Sequence, residues 1–447
     1  MRFRSKLFLL VAVALSAAVG QAAEIKLGQP AMPPSAKPAE VIPVPQPVVA
    51  QLALADLEAI ALRSNPTLAQ AAARVEAARG QWVQAGLRPN PTIGYQASEI
   101  GNNGNAGQQG GFIEQEIITG GKLRLGQAVA SREIALAARH FDAQRFRVLT
   151  DVRLEYYNVL IAQRGVDVSQ RLLGVGQSGL IATQKLFKAE QVSRVDVLQS
   201  SVEAKNARIT LRNAQNRYLG AWRRLASVIG EPGMQPTALA GNLESEFPKL
   251  TWDDSLARLL ACSPEIRAAR VAIDRERWAL DLAFAQAKPN FDVQAGVQHD
   301  NTTTDDVVNV QIGVPMPVRN RNQGNIRAAE ARLRSAQADL ARVRLSVQHR
   351  LAIVFERYSS ARQQVDEYKS DILPDVQSSL DLVTRGFREG EISYLALLTS
   401  QRSYFQTNLA YITALGELWT NAAAIEGMLL SDSLQPPGIA DDLRRGP

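Results

Sequence analysis

The chain has 447 residues, of which 46% are hydrophobic, 21% are charged and 6% are aromatic. This apolar content excludes intrinsic disorder, and the length is that of two to three ordinary domains. The formal net charge of +6 is small and dispersed, so no nucleic-acid partner is expected. The single cysteine, Cys262, excludes an internal disulfide and a thiolate metal centre.

Residues 1–23 have the layout of a secretory signal peptide. A basic start, Met1–Lys6, precedes the apolar run Leu7–Val19, and small residues follow up to Ala23. The run is shorter than the roughly 20 residues that span a bilayer as a helix, which disfavours the alternative of an N-terminal membrane anchor. We therefore predict an exported protein with a cleavable signal. No cysteine lies near the cleavage site, so a lipoprotein is not expected.

The next segment, 24–51, is rich in proline and almost uncharged, which predicts an extended spacer. Beyond it the chain repeats itself at a shift of 200 residues. The matched pairs are Pro89-Asn90 with Pro289-Asn290, Gln177-Ser178 with Gln377-Ser378, Phe187-Lys188 with Phe387-Arg388, and Val192-Ser193 with Ile392-Ser393. We predict two copies of one unit, at 52–251 and 252–430, followed by a C-terminal tail at 431–447.

Each copy is predicted to run helix, strand, loop, strand, long helix, turn, long helix. Apolar residues recur every seventh position in the second long stretch, at Ile326, Leu333, Leu340, Val347, Val354, Ala361 and Tyr368. This spacing predicts coiled-coil packing, and a helix of about 65 residues would be roughly 100 Å long.

The returning helices carry matching apolar stripes. They are Val197, Ala204, Leu211, Tyr218 and Leu225 in the first copy, and Leu397, Tyr404, Tyr411, Leu418 and Ile425 in the second. In the second copy an adjacent stripe of Leu398, Phe405, Ile412 and Trp419 widens the seam. A helix that packs against neighbours on both sides within a closed ring would explain the widened seam, and so would a bundle helix with a wide apolar face.

Four short segments alternate between apolar and polar residues, as two-faced strands do. They are predicted at 92–98, 111–118, 291–298 and 308–314, and the second is less regular because Glu114 and Glu116 would share a face with Phe112 and Ile118. This pattern fits a transmembrane β-barrel with a wet lumen, or a half-buried soluble sheet. Under the barrel interpretation the lumen-facing positions are Gln96, Asp292, Gln294, Gln298, Asn309 and Gln311. Four strands are too few to close a barrel, so that interpretation requires an oligomer.

These features together resemble the outer membrane factor family, the TolC-like efflux proteins. The stretches that carry the resemblance are NPTLAQAAARVEAARGQWVQAGLRPNPTIGY at 65–95, EQEIITGGKLRL at 114–125, and the turns FKAEQVSRVDVLQ at 187–199 and FREGEISYLALLTSQ at 387–401. The resemblance implies a mainly α fold with a small transmembrane β part. In it, a homotrimer forms a twelve-stranded outer-membrane barrel and a tunnel of helices that extends into the periplasm.

The resemblance also implies a function. It is that of a passive exit duct in the outer membrane, linked by a periplasmic adaptor to an inner-membrane pump of the resistance–nodulation–division type. Outer-membrane lipid is a further implied contact, and neither catalysis nor a cofactor is expected. The stretches at 84–91 and 114–122 look closer to heavy-metal and cation efflux ducts than to multidrug ones. The alternatives are a type I protein secretion duct and a soluble periplasmic coiled-coil scaffold.

In the family the turns between the long helices form the periplasmic tip, which docks the adaptor and gates the duct. Carried over to this chain, the tip residues are Glu190, Gln191, Val192, Ser193, Asp196, Glu389, Gly390, Glu391, Ile392 and Ser393. Ser193 and Ser393 are candidate N-caps of the returning helices, and Gly390 suits a tight turn. Known members ring the closed end with acidic residues, whereas Ala396 and Thr399 occupy those positions here. An acidic constriction is therefore in doubt at the second turn, although Asp196 remains at the first.

No other motif predicts chemistry. The three histidines, His140, His299 and His349, are far apart and lack metal-ligand spacing, so no metal site is predicted. The Gly120-Gly121-Lys122 sequence lacks the rest of a phosphate-binding loop and is interpreted as a strand-to-helix junction. Cys262 is expected to be a buried small residue without a function.

Overall fold

The computed structural model describes residues 52–101, 104, 106–244 and 247–435. The predicted signal peptide at 1–23 and the proline-rich segment at 24–51 lie outside the described residues, as does the tail beyond residue 435. Among the described residues, no helix combines the length and the apolar character that a membrane span requires.

The predicted order of elements is confirmed, with one difference. Each copy opens with two helices where we predicted one. The first copy contains α1 (Leu54–Ser64), α2 (Pro66–Gly86), β1 (Thr92–Ser98), β2 (Gln108–Ile117), α3 (Lys122–Lys188) and α4 (Arg194–Ile229). The second contains α5 (Trp252–Cys262), α6 (Pro264–Gln286), β3 (Phe291–Asp300), β4 (Asp306–Gly313), α7 (Gln323–Glu367), a π-helical turn (Tyr368–Ile372), α8 (Leu373–Glu389) and α9 (Tyr394–Glu426).

A proline divides the opening helix of each copy. Pro66 and Pro264 occupy the first positions of α2 and α6, and the residue before each is non-helical. This follows from the clash between a proline ring and a helical preceding residue. Asn65 fixes the first break, since its Oδ1 accepts a hydrogen bond from Thr67 N at 2.9 Å and its Nδ2 donates to Val228 O at 2.6 Å.

The long helices have the predicted length in both copies. Helix α3 has 67 residues, and α7 continues through the π-helical turn into α8 from residue 323 to residue 389. Pro374 lies inside this second run, directly after the π-helical turn and at the start of α8. The missing N–H of the proline thus falls where the hydrogen-bond pattern already changes, so the helix is not broken there.

The four strands form one antiparallel sheet in the order β1-β2-β3-β4. Three of the four strands differ in their bounds from the prediction: β2 begins at Gln108 and ends at Ile117, β3 continues to Asp300, and β4 begins at Asp306 and ends at Gly313. Pairing with β1 and β3 explains the longer β2, since Gln108 lies opposite both Ser98 and Asp300. Strands β1 and β4 lie at the two edges of the sheet.

The main hydrophobic core lies midway along the long helices. It joins α1, α5 and the start of α6 to the central parts of α3 and α7 and to the ends of α4 and α9. Among its fully buried side chains are Trp222, Leu225, Leu259, Leu351 and Leu418. Burial of such side chains contributes about 1.5–3 kcal/mol each relative to exposure. The two copies are therefore held together mainly by this core. Cys262, predicted to be buried, is only half-buried at the end of α5.

The segment after α9 folds back onto α3. The carboxylate of Asp151 accepts hydrogen bonds from the backbone N–H groups of Asp432 at 3.0 Å and Ser433 at 2.6 Å. Burial raises the pKa of this carboxyl group above its ordinary value, against the opposing effect of the bonds from Ser433 and Asp432. The start of the C-terminal tail is thereby attached to the first copy.

The long helices lie side by side in the order α4, α3, α9, α8, with α7 packed against α9 nearer the core. Helix α9 has neighbours on both sides, which confirms the two-sided packing that its widened apolar seam suggested. Of the nine residues in its two stripes, all but Tyr404 are buried. Helix α4 packs mainly against α3, and its opposite side is open in the single chain.

Candidate functional site: the hairpin tips and the polar face of the sheet

The first tip connects α3 to α4 through residues 189–193. Glu190 has a left-handed backbone with φ of 56°, a conformation that costs a non-glycine residue energy. Ser193 caps α4, since its Oγ accepts a hydrogen bond from Asp196 N at 3.3 Å. The Asp196 carboxylate in turn accepts from Ser193 N at 2.9 Å and from Ser193 Oγ at 2.7 Å. This reciprocal capping box satisfies backbone donors at the helix start.

The second tip connects α8 to α9 through residues 390–393. Gly390 takes the left-handed conformation that Glu190 has in the first tip, with φ of 81°. Ser393 caps α9 by accepting from Ala396 N at 3.4 Å, but no carboxylate completes the box there. Ile392 folds back over Gly386 so closely that a Cβ on Gly386 would lie 2.7 Å from Ile392 Cδ1.

The structure therefore confirms both serine caps and the turn at Gly390. Seven of the ten predicted tip residues are solvent-exposed, namely Glu190, Gln191, Ser193, Glu389, Gly390, Glu391 and Ser393, while Val192, Asp196 and Ile392 are half-buried. Asp196 has a local role, because its carboxylate holds the start of α4. A further role of Asp196 in cation passage, like adaptor docking by the whole tip, stays a prediction.

The two hairpins are joined just above their tips by contacts that sequence reasoning missed. Arg402 on α9 forms an ion pair with Glu203 on α4. Within the first hairpin, slightly closer to the tip, Thr183 Oγ1 on α3 lies 2.7 Å from Ser200 Oγ on α4, and both side chains are buried. Tyr394 of α9 is also buried there, and desolvation raises the pKa of its hydroxyl group. Only the repeat could have pointed to this pair, since Glu203 and Arg402 occupy nearly equivalent positions in the two copies.

The six predicted lumen positions share one face of the sheet. Directly opposed residues of antiparallel strands point to the same side, and the register aligns Gln96 with Gly110 and Gln298. It also aligns Gln294 with Gln311. Asp292 and Asn309 fall on this face by the same alternation, and Asn309 donates to Gln298 Oε1 at 2.7 Å. The register adds members that the prediction omitted: Gln108, Glu114, Glu116 and Asp300.

Phe112 explains why β2 looked irregular. It lies on the polar face, but its ring occupies the space above Gly94, where a Cβ would come within 2.4 Å of the ring. On the other neighbouring strand Gly296 lies opposite Phe112, and a Cβ there would lie 3.2 Å from Phe112 Cβ. Because Ile118 lies outside the strand, Phe112 is the only large hydrophobic side chain of β2 on that face.

The opposite face of the sheet is largely apolar and open in the single chain, and Gln109, Gln115, His299 and Asp306 are its polar members. Its exposed apolar side chains are Ile93, Tyr95, Ile113, Ile117, Phe291, Val297, Val308, Val310 and Ile312, of which Ile93 is 80% exposed. A contiguous apolar surface of this kind marks a binding or membrane face. The site is thus a sheet with one polar and one apolar face above two helical hairpins with polar tips.

This architecture defines a class of outer-membrane efflux protein, and the comparisons with known proteins agree. The family model for outer membrane efflux proteins matches the chain twice, at residues 58–231 and 256–429. The chain belongs to this family. Its fold, a duplicated helical tunnel unit with a small sheet, is therefore the one predicted, and the protein is the outer-membrane channel component of an efflux system.

Individual relatives and a solved structure extend this result. The chain is 26% identical over 392 residues to the cobalt-zinc-cadmium resistance protein CzcC of Cupriavidus metallidurans, covering 87% of this chain and 93% of that protein. It is 22% identical over 377 residues to SilC of Salmonella typhimurium, a probable outer membrane lipoprotein, covering 78% and 79%. A crystal structure of CusC shares the fold, with a TM-score of 0.71 at 18% identity, covering 85% of this chain and 92% of that one.

Proposed function

We propose that three copies of this chain form one passive exit duct for heavy-metal cations. In this proposal a periplasmic adaptor links the duct to an inner-membrane pump of the resistance–nodulation–division type. The observation that carries the proposal is the pairing of a two-faced sheet that is open at both edges with long helical hairpins that are open on one side. The two predicted copies, 52–251 and 252–430, supply one sheet and two hairpins to each third of the duct.

The sheet supports a shared barrel. Within the described part of the chain, strands β1 and β4 have no strand partner on their outer edges, and such edges pair readily with another chain. Three chains would supply twelve strands, an even number within the range of outer-membrane barrels. The apolar face would then contact outer-membrane lipid, and the amide-rich face with Gln96, Gln294 and Gln311 would line the lumen.

The helices support the same assembly through charge. Helix α4 has seven basic and two acidic residues, whereas residues 366–381 have five acidic and one basic. Both hairpins turn at the same level, because Arg402 reaches Glu203 nine or ten residues above the two capping serines. At 1.5 Å per residue along the helices, Arg212 and Asp371 each lie roughly 27 Å from the turn of their own hairpin.

Other exposed residues of α4 and of residues 366–382 also match in their distance from the turns. Lys205 falls between the heights of Asp375 and Asp381, and Val202 falls beside Leu382. Val202 and Leu382 are 53% and 62% exposed in the single chain, and all these charged side chains are exposed. We infer that the α4 edge of one copy packs against the α8 edge of the next, which closes the ring.

The tips support docking of an adaptor and gating. Their exposed carboxylates, Glu190, Glu389 and Glu391, would face a partner approaching from the periplasm. The Glu203–Arg402 ion pair joins the hairpins just above the tips, so a partner that separates the hairpins must break this contact. We propose that the ion pair helps to hold the duct closed before the adaptor binds.

The proposed cargo rests on the relatives, since CzcC is a cobalt-zinc-cadmium resistance protein. Within the described part of the chain, no group of three His, Cys, Asp or Glu side chains is arranged to hold a metal ion. The duct would accordingly pass cations without storing them, the pump would select them, and no catalysis is proposed. The cleavable signal and the lack of a lipid anchor remain predictions, which the mass of the mature N-terminal peptide tests.

The proposal is tested in cells that carry the cognate adaptor and pump but lack this duct. Restoring the chain should lower cellular zinc, cobalt or cadmium and yield a detergent-soluble trimer from the outer membrane. A variant with Glu389→Lys and Glu391→Lys should keep the trimer and lose cross-linking to the adaptor. Recovery of the chain as a water-soluble monomer without detergent would refute the duct, and restored protein secretion with unchanged metal content would favour the type I alternative.

A further inference from the structure

The sheet and the helices differ sharply in charge at their boundary. Residues 89–121 and 289–318, which hold all four strands and their distal loops, contain no lysine or arginine. They contain seven acidic residues instead: Glu99, Glu114, Glu116, Asp292, Asp300, Asp305 and Asp306. The boundary with the helices has the opposite bias. The four stretches 77–98, 117–132, 282–291 and 307–329 contain nine basic residues and no acidic one.

The ends of these stretches that carry the basic residues meet at one edge of the sheet. The register places the start of β1, the end of β2, the start of β3 and the end of β4 side by side. Hydrogen bonds connect the junctions: Thr119 N donates to Asn290 Oδ1 at 3.3 Å, and Asn322 Nδ2 donates to Ala283 O at 2.7 Å. Gln115 Nε2 likewise donates to Pro89 O at 2.9 Å. The basic residues therefore form a band around the base of the sheet.

Seven residues of this band are solvent-exposed, and one of them, Arg79, pairs with Glu76. We name the other six the basic collar: Arg88, Arg124, Lys288, Arg319, Arg321 and Arg327. None of the six forms an ion pair with another described residue. An arginine elsewhere in the chain often has a carboxylate partner, as Arg153 has in Glu58. The collar thus presents positive charge that no described carboxylate pairs with.

Exposed apolar side chains lie among the collar residues. Trp82 and Leu87 precede β1, Phe284 precedes β3, and the connection from β4 to α7 carries Met316 and Val318, which are 83% and 69% exposed. That connection spans residues 314–322, whereas its counterpart in the first copy spans only 118–121. The extra residues supply Arg319 and Arg321 next to Met316 and Val318. Apolar side chains beside long basic ones are typical of surfaces that lie at a bilayer interface.

We propose that the basic collar binds the phosphate groups of anionic phospholipids in the leaflet that faces the helices. This inference rests on the proposed function, which places the apolar face of the sheet in the bilayer. The apolar side chains enter the acyl region, and the collar lies at the depth of the headgroups. Positive side chains at that depth attract anionic lipid, and the attraction weakens as salt screens it.

The test compares lipid contacts of the purified full-length protein in mixed vesicles of phosphatidylcholine and phosphatidylglycerol. Spin-labelled phosphatidylglycerol and spin-labelled phosphatidylcholine report how strongly each lipid associates with the protein. We expect phosphatidylglycerol to be preferred about threefold at low salt and the preference to fall at 0.5 M sodium chloride, as electrostatic attraction requires. The collar variant (Arg88→Gln, Lys288→Gln, Arg319→Gln, Arg321→Gln) should show no preference.

A matched control carries four substitutions of exposed arginines far from the sheet: Arg171→Gln, Arg223→Gln, Arg344→Gln and Arg357→Gln. It should keep the full preference for phosphatidylglycerol. Equal association of both lipids with the unmodified protein, or an unchanged preference in the collar variant, would overturn the inference. Either result in a protein that inserts as a trimer leaves the duct intact, whereas failure to insert at all counts against the proposed function itself.

Discussion

Helices α4 and α9 are the equivalent returning helices of the two copies, yet their surroundings differ. Helix α9 is enclosed by α3 on one side and by α7 and α8 on the other, and both of its apolar stripes are largely buried. Helix α4 is covered on one side by α3, and Val195, Leu198, Val202 and Ile209 are more than half exposed. The comparison shows that the two copies together cover α9 on both sides within one chain. They leave the outer side of α4 uncovered, where a neighbouring copy could pack.

Reversing the charge of the α4 edge should have the largest effect. Lys205→Glu with Arg212→Glu places acidic residues against the acidic α8 edge three times per ring, so we expect the trimer to dissociate at least tenfold more readily in native mass spectrometry. Adding Asp371→Arg and Asp375→Lys should restore the trimer, because the charges are then exchanged. A variant that stays trimeric after the first pair alone, at low salt, would argue against this interface.

Matched truncations sharpen the comparison within one chain. Ile412→Ala on α9 removes a buried side chain and should lower the free energy of unfolding of the detergent-dissociated monomer by about 2–5 kcal/mol. Ile209→Ala on α4 removes a side chain that is 56% exposed and should change it by at most about 0.5 kcal/mol. Denaturant titration followed by circular dichroism measures both, and equal losses would show that α4 is not an open edge.

The inter-hairpin ion pair gives a smaller effect. It is partly exposed, so its loss costs about 0.2–1 kcal/mol per chain, yet it recurs in each chain of the duct. We expect Glu203→Gln to raise the open probability of the duct severalfold in planar bilayers. Arg342→Gln removes a pair that lies within a single helix, with Asp339, and should leave conductance unchanged. Identical currents from both variants would show that the Glu203–Arg402 ion pair does not contribute to gating.

Removal of the two serine caps should give the smallest difference between the copies. Ser193→Ala breaks a reciprocal box with Asp196, whereas Ser393→Ala breaks a single weaker bond to Ala396 N. We expect about 1–2 kcal/mol of local stability lost at the first tip and about 0.5 kcal/mol at the second. Hydrogen exchange of the first turns of α4 and α9 measures both losses, and a greater loss at the second tip would reverse the ranking.

Much of this fold follows from the sequence because its signals are periodic and repeated. Seven-residue stripes over dozens of residues predict long helices, and the shift of 200 residues predicts two copies even where single positions are ambiguous. The shared face of the six predicted lumen positions follows from alternation, which a strand register preserves. The two serine caps follow from local chemistry, since a serine before a helical run is a common N-cap.

The features that escaped prediction depend on neighbours. The start of β2 at Gln108 is set by pairing with β1 and β3, and the place of Phe112 on the polar face depends on the space above Gly94. The Glu203–Arg402 pair joins residues 199 positions apart. The half-buried state of Cys262 likewise reflects how α5 packs at its end. None of these follows from the pattern of a single segment.

The central claim, that the α4 edge of one copy packs against the α8 edge of the next, is tested most directly by disulfide trapping in native membranes. In a Cys262→Ala background, Val202→Cys with Leu382→Cys introduces one cysteine on each edge at matched height and leaves the charges unchanged. Oxidation should yield a covalently closed trimer that is absent from either single-cysteine variant. The control pair of Val202→Cys with Leu345→Cys, which differ in height by more than 50 Å at 1.5 Å per residue, should not cross-link. A chain that stays monomeric after oxidation of the first pair, while it still confers metal export, would contradict the account.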